Sequence, residues 1–260
     1  MSPITFRKRQ SSALKSLSVQ DLSSDLIPVT GKTSFAIVIH NLLSPDECSS
    51  LIRRAEDEGF DHALIHGPDG KEVLNQTVRN CGRCIIDDEQ LSNTIYQRIR
   101  DAVRGTVWEK KMQTFTLRKH HDGDSLTASA VGLNERMRFL KYEPGQFFAP
   151  HHDIRYVRGP EFGPRAGETS YVTVHIYLND KVKGGSTRFL CGTRYYDVNP
   201  KVGSVLIFDH DLLHEGSKVT SGVKYSVRTD IMYRNPAFVE DKGVLDTPST
   251  IGSDDGSDVA

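Results

Sequence analysis

The chain has 260 residues, 37% of them hydrophobic, which is enough for one enlarged domain or two small ones; one domain with tails is expected. Its 33 Lys and Arg are matched by 34 Asp and Glu, so no overall field draws it to nucleic acid or an anionic membrane. Four cysteines, no apolar N-terminal run of signal-peptide type and no stretch near the ~20 apolar residues that span a bilayer argue against a disulfide scaffold and against a helical membrane protein. A small molecule or a peptide is the expected partner, in an intracellular, reducing setting.

Residues 1–30 carry Arg7, Lys8, Arg9 and Lys15, no acid before Asp21 and many serines. They read as a disordered leader of a cytoplasmic protein, with a mitochondrial presequence as the alternative. A single domain is expected over 31–240. Ser44, Pro45 and Glu47 form a capping box with proline at the first helical position, and Cys48, Leu51, Ile52 and Ala55 follow on one face until Gly59 stops the helix. Cys81-Gly-Arg-Cys84 has redox or zinc spacing, but no second pair completes four ligands. A second helix runs from about Asp88 to Arg104, with Leu91, Ile95, Ile99 and Val103 in one stripe and Gly105 as its stop. Both helices belong to a supporting region over 44–107.

From about residue 134 the apolar period becomes two, with strands near 135–143, 147–153, 170–178, 186–190, 203–208 and 223–233, a core of 134–234. Such even spacing suggests a sandwich or barrel. Glu143-Pro144-Gly145-Gln146 fits a tight turn that makes 135–153 a hairpin. The last residues, 241–260, are small, polar and acidic and read as a flexible tail.

Within "GQFFAPHHDIRY", alternation along a strand lets His151 and Asp153 share a metal while His152 points the other way. A distant histidine would complete the 2-His-1-carboxylate triad that leaves open positions on non-haem Fe(II). "LIFDHDLLHEGSKV" offers His214 beyond an apolar strand, with His210 as the alternative. The same ligand set also suits catalytic zinc. In "GVKYSVRTDIMYR", Lys224 and Arg228 share a strand face, and a cation buried beside a metal needs an anion; the far carboxylate of a dicarboxylic cosubstrate would supply it. Thr173, His175 and Tyr177 also share a face, and the Tyr177 hydroxyl is placed to reach that carboxylate.

The blocks "RFLKYEPGQFFAPHHD", "YVTVHIYLND", "GGSTRF" and "GSVLIFDHDLLHEGSKVTSGVKYSVRTDIMYR" together resemble the Fe(II)/2-oxoglutarate dioxygenases of the prolyl 4-hydroxylase type, over residues 134–234 and more weakly back to residue 42. The resemblance implies a mainly β fold with flanking helices, a double-stranded β-helix (a jelly roll, cupin-like). It implies iron ligation by His151, Asp153 and His214, with 2-oxoglutarate and O2 as cosubstrates and ascorbate as reductant. It also places Lys224 and Tyr177 at the 2-oxoglutarate C5 carboxylate and Tyr142 along the same pocket. Arg228 departs from the small polar residue of the collagen-type enzymes and is expected to bind 2-oxoglutarate beside Lys224 or to touch substrate. The implied reaction hydroxylates a C–H of an amino acid, a peptidyl residue or a small metabolite, releasing succinate and CO2. A non-catalytic 2-oxoglutarate or metal sensor and a zinc hydrolase on a cupin-like barrel are the other readings. In the segment 155–170, a lid is expected, whose Arg155, Arg158 and Arg165 either meet a substrate carboxylate or are solvated loop charges, the commoner case.

Overall fold

A computed structural model describes residues 17–30, 34–66, 71–118 and 125–235. The expected acidic tail and the first sixteen residues of the expected leader lie outside them. Two antiparallel sheets face each other. The larger runs, in spatial order, Ser18–Asp21, Ala36–His40, Val205–Asp209, Thr169–Tyr177, Lys224–Arg234, Arg136–Tyr142, Gly82–Asp87 and Asp61–His62. Ser125–Leu133 also pairs with Lys224–Arg234 and carries Thr114–Arg118 on its far side. The smaller sheet runs Arg194–Val198, Thr187–Cys191, His214–Gly216, Phe147–His151 and Arg79–Asn80. This is the expected jelly roll, with helices packed outside. No helix among the described residues is long and apolar enough to cross a membrane.

Period-two alternation divides the larger sheet between two environments. Val172, Val174, Ile176, Val205, Ile207, Val227 and Ile231 pack in one core cluster with Leu51, Ala55, Leu91, Ile95 and Ile99 of the two helices. The intervening residues of these strands face the smaller sheet. The helices form where the sequence places them. Pro45–Glu58 opens on Ser44, whose hydroxyl accepts from Glu47 N while Glu47 accepts from Ser44 N. Glu89–Val103 opens on Asp88, whose carboxylate accepts from Leu91 N. Each cap is worth ~1 kcal/mol.

Two expectations are corrected here. The leader joins the fold from Leu17 onward: Ser18–Asp21 pairs with Ala36–His40, in register from Ser18↔His40 to Asp21↔Ile37, and Leu22 and Leu26 are buried. Few apolar residues among many serines hid this segment, yet it covers the edge that Ala36–His40 would otherwise expose. The second correction concerns 135–153. Its turn forms, with Gly145 at φ 91° and Gln146 N donating to Glu143 O. The arms do not form a hairpin, because the turn passes the chain from one sheet to the other. Arg136–Tyr142 pairs with Lys224–Arg234 and Gly82–Asp87, whereas Phe147–His151 pairs with His214–Gly216 and Arg79–Asn80. Residues 215–219 hold the turn in place: Gly145 N donates to Val219 O and Val219 N to Gln146 O.

Candidate active site

A pocket opens between the sheets. Its wall from the smaller sheet includes Phe148, His151, Thr187 and His214; its wall from the larger includes Tyr142, Thr173, His175, Lys224 and Arg228. His151 and His214 lie directly opposite each other on paired strands, with ring centroids 4.3 Å apart. Asp153 completes the group: its two carboxylate oxygens lie 3.8 Å from His151 Nε2 and 3.8 Å from His214 Nε2, and one ligand atom from each residue falls within 4.8 Å of the others.

Each imidazole is oriented by its own backbone. His151 Nδ1 lies 2.8 Å from Ala149 O and His214 Nδ1 lies 2.9 Å from Leu212 O. Because a carbonyl only accepts, each Nδ1 carries the proton and each Nε2 turns a lone pair toward Asp153. Burial, with His214 close by, lowers the His151 pKa to about 3, and burial lowers that of His214 as well, so both rings are neutral at working pH. Burial opposes ionisation of Asp153, but its charged neighbours, the Arg228 guanidinium foremost, outweigh it and hold the carboxyl well below its ordinary range. Thr173 donates its hydroxyl to Asp153 Oδ2. Two neutral imidazoles and one carboxylate converging with lone pairs inward fit a divalent metal that keeps open positions.

Lys224 lies at the other end of the pocket, 2% exposed, and makes no ion pair among the described residues. The rings of Tyr142 and Tyr177 flank its Nζ at 5.2 and 5.6 Å. Burial lowers its pKa to about 8. A buried cation without a counter-ion is costly, and a ligand anion relieves that cost. Tyr142 lines the pocket as expected.

Several sequence expectations change. Arg228 is engaged through one nitrogen, its Nη2 lying 3.1 Å from Asp153 Oδ1 and 3.0 Å from Asp230 Oδ1, while its buried Nε meets no partner among the described residues and the side chain lines the pocket. It therefore grips the carboxylate of the metal site. The Tyr177 hydroxyl donates to Thr187 Oγ1 at 2.8 Å, so it reaches the pocket only through that threonine. His210 stands 3.3 Å from Asp230, outside the three-residue cluster. His152 faces away, its Nδ1 3.1 Å from Asp211 O. Arg158 is buried and ion-paired to Glu135 and Glu168, and Arg165 reaches Glu135 and Glu89. These two arginines fasten the 155–170 segment down and are not offered to a substrate; Arg155 lies over the Tyr171 ring. Cys81 and Cys84 carry free thiols in separate clusters, one beneath the pocket with Tyr142 and one in the helix-sheet core.

The structure adds Thr187 and Arg79. Thr187 accepts from Tyr177, which leaves its own hydroxyl hydrogen for the pocket. Arg79 lies over the Phe148 ring at 4.5 Å. Neither has a local sequence signal, because each arrives on a separate strand of the smaller sheet.

The sequence model of the 2OG-Fe(II) oxygenase superfamily matches residues 137–229, the stretch that holds the whole cluster and Lys224. Probable prolyl 4-hydroxylase 3 of Arabidopsis thaliana is 28% identical over 217 residues, covering 74% of this chain and 67% of that protein. Prolyl 4-hydroxylase 1 of the same plant is 28% identical over 210 residues, covering 73% and 66%. The chain thus spans about two thirds of the length of these relatives. Among solved structures, a Pseudomonas putida prolyl-4-hydroxylase superposes with a TM-score of 0.51 at 18% identity, covering 82% of this chain and 97% of that one. A Trichoplax adhaerens prolyl hydroxylase, solved with a hypoxia inducible factor peptide fragment, gives 0.50 at 14% identity over 81% and 87%. Those two likenesses carry the fold, while the sequence match and the His-x-Asp…His cluster carry the chemistry: residues 137–229 match the 2OG-Fe(II) oxygenase superfamily, and that match together with the cluster implies Fe(II) and 2-oxoglutarate.

Proposed function

We propose that the chain hydroxylates a prolyl residue within a peptide, converting 2-oxoglutarate and O2 to succinate and CO2 as the substrate C–H becomes C–OH. The observation that carries the cosubstrate assignment is Lys224, a buried cation without a counter-ion among the described residues, in the same pocket as His151, Asp153 and His214. A dicarboxylate bound at the metal through its keto-acid end would bring its far carboxylate to that lysine. A zinc hydrolase gives Lys224 no partner.

In this reading His151, Asp153 and His214 hold Fe(II), which when bound supplies the O2-dependent oxidation with 2-oxoglutarate as its reductant. The protein's own groups orient and neutralise. The Ala149 and Leu212 carbonyls fix the two imidazoles, while Thr173 and Arg228 fix the carboxylate. Lys224 neutralises the cosubstrate, and the rings of Tyr142 and Phe148 keep water from the pocket. The peptide assignment rests on the named relatives. It is supported by exposed apolar side chains beside the cluster, Ile154 at 64% and Val157 at 53%.

The test is succinate release by Fe(II)-loaded protein given 2-oxoglutarate, O2 and ascorbate, with a proline-rich peptide and the same peptide with alanine for proline. Proline-dependent succinate, lost in His151→Ala, is expected. Turnover that ignores the prolines would overturn the substrate class, and failure to bind 2-oxoglutarate would overturn the cosubstrate.

A further inference from the structure

His175 is a polar side chain in the pocket with no task assigned above. It lies on Thr169–Tyr177 between Thr173 and Tyr177 on the inward face, opposite Arg228 on one neighbouring strand and Leu206 on the other. Its ring meets that of Tyr177 edge-on at 5.0 Å. The Nε2 atom is buried, and no donor or acceptor among the described residues meets it. Burial and then the Lys224 charge push its pKa well below the ordinary value, so the ring is a neutral one-donor, one-acceptor group.

A buried polar atom without a partner is costly, and a ligand that brings the missing partner recovers that cost on binding. The ligand end that comes nearest Lys224 is a carboxylate, with about four lone-pair sites for donors. Lys224 fills some of them, and the Tyr177 hydroxyl is already committed to Thr187. A neutral N–H beside the lysine adds a donor without a second buried charge.

We propose that His175 donates its ring N–H to the distal carboxylate of bound 2-oxoglutarate, beside Lys224, and so helps decide which keto acids the site accepts. The assignment rests on the cosubstrate reading above. It makes His175 a binding residue for the far end of the ligand and gives it no part in holding the metal.

Calorimetric titration of Fe(II)-loaded protein without oxygen tests this with two ligands: 2-oxoglutarate, and oxalate, which chelates the metal but has no distal carboxylate. His175→Leu is expected to weaken 2-oxoglutarate by about tenfold to a hundredfold and to leave oxalate within about twofold. His175→Gln, whose amide supplies an N–H at similar reach, is expected to regain most of the affinity. His175→Met replaces the leucine variant should that one fold poorly. Equal weakening of both ligands, or unchanged 2-oxoglutarate binding in the apolar variants, overturns the role of His175 and leaves the cosubstrate reading intact. Wild-type protein that binds oxalate but not 2-oxoglutarate overturns both.

Discussion

Replacing Lys224 by methionine should strengthen the empty protein and cripple it as a receptor. Burial brings the lysine from its ordinary 10.5 down to about 8. At ~1.36 kcal/mol per pH unit, holding the charge inside costs the fold about 3 kcal/mol at neutral pH. The rings at 5.2 and 5.6 Å return about 1–2 kcal/mol of cation–π attraction. Lys224→Met, close in length and without charge, should therefore stabilise metal-free protein by about 1–2 kcal/mol at pH 7. A lysine with a lowered folded pKa carries its full cost below about 8, and the cost fades as the pH rises toward 10.5, where unfolded lysine also loses its proton. Urea unfolding at pH 7 and again near pH 10 should show the variant's advantage shrinking. Calorimetry on the Fe(II)-loaded forms should show 2-oxoglutarate weakened by about thirtyfold or more, because the ligand's far carboxylate then lacks its cation. A variant less stable than wild type at pH 7, or one that binds 2-oxoglutarate normally, would refute this account of Lys224.

The same lysine predicts that the 2-oxoglutarate Kd rises by about tenfold per pH unit above about 8, as the free protein loses the proton the ligand needs; a flat profile from pH 7 to 10 would contradict it. Arg228→Met removes the guanidinium from Asp153 and should weaken Fe(II) by about tenfold to a hundredfold, read by competition with a chromophoric chelator. Unchanged affinity would show that the arginine serves something else. Arg158→Met removes the buried guanidinium between Glu135 and Glu168, leaves them the more exposed Arg165 and Arg234, and should cost about 1.5–3 kcal/mol in urea unfolding; a loss below about 0.5 kcal/mol would mean the remaining arginines already serve those carboxylates. Burial opposes ionisation of Glu135, but Arg158 outweighs it and brings the pKa from 4.5 to about 2. Its stabilising contribution is complete above pH 4.5 and disappears as the pH falls toward 2. Acid unfolding of Arg158→Met should accordingly begin at higher pH than that of wild type.

The parts of this molecule that announce themselves in sequence are those whose signal is local. Ser44 and Glu47 cap their helix through neighbours three residues apart, and the stripe of Leu91, Ile95 and Ile99 repeats at helical spacing. His151 and Asp153 share a face because a strand repeats every two residues. The misses are settled by partners distant in the chain. Strong turn chemistry at 143–146 says nothing about which sheet receives each arm. Arg228 lies on the expected face, but Asp153, which holds one nitrogen of its guanidinium, is 75 positions earlier. The Tyr177 hydroxyl could be assigned to a cosubstrate only while Thr187, on the opposite sheet, was out of view. Loop arginines resemble substrate contacts until Glu135 and Glu168 are found beneath them.

The direct cross-strand opposition of His151 and His214 ties metal affinity to strand register. Were Phe147–His151 to slide by one residue, His152 would turn inward and His151 outward, and no His-x-Asp pair would face His214. Iron therefore binds one alignment of these strands and discriminates against its neighbours. By mass action, metal at about a hundred times its Kd adds ~2.7 kcal/mol to that alignment alone. Iron supply then becomes a determinant of how long the folded chain survives proteolysis, quite apart from how fast it turns over.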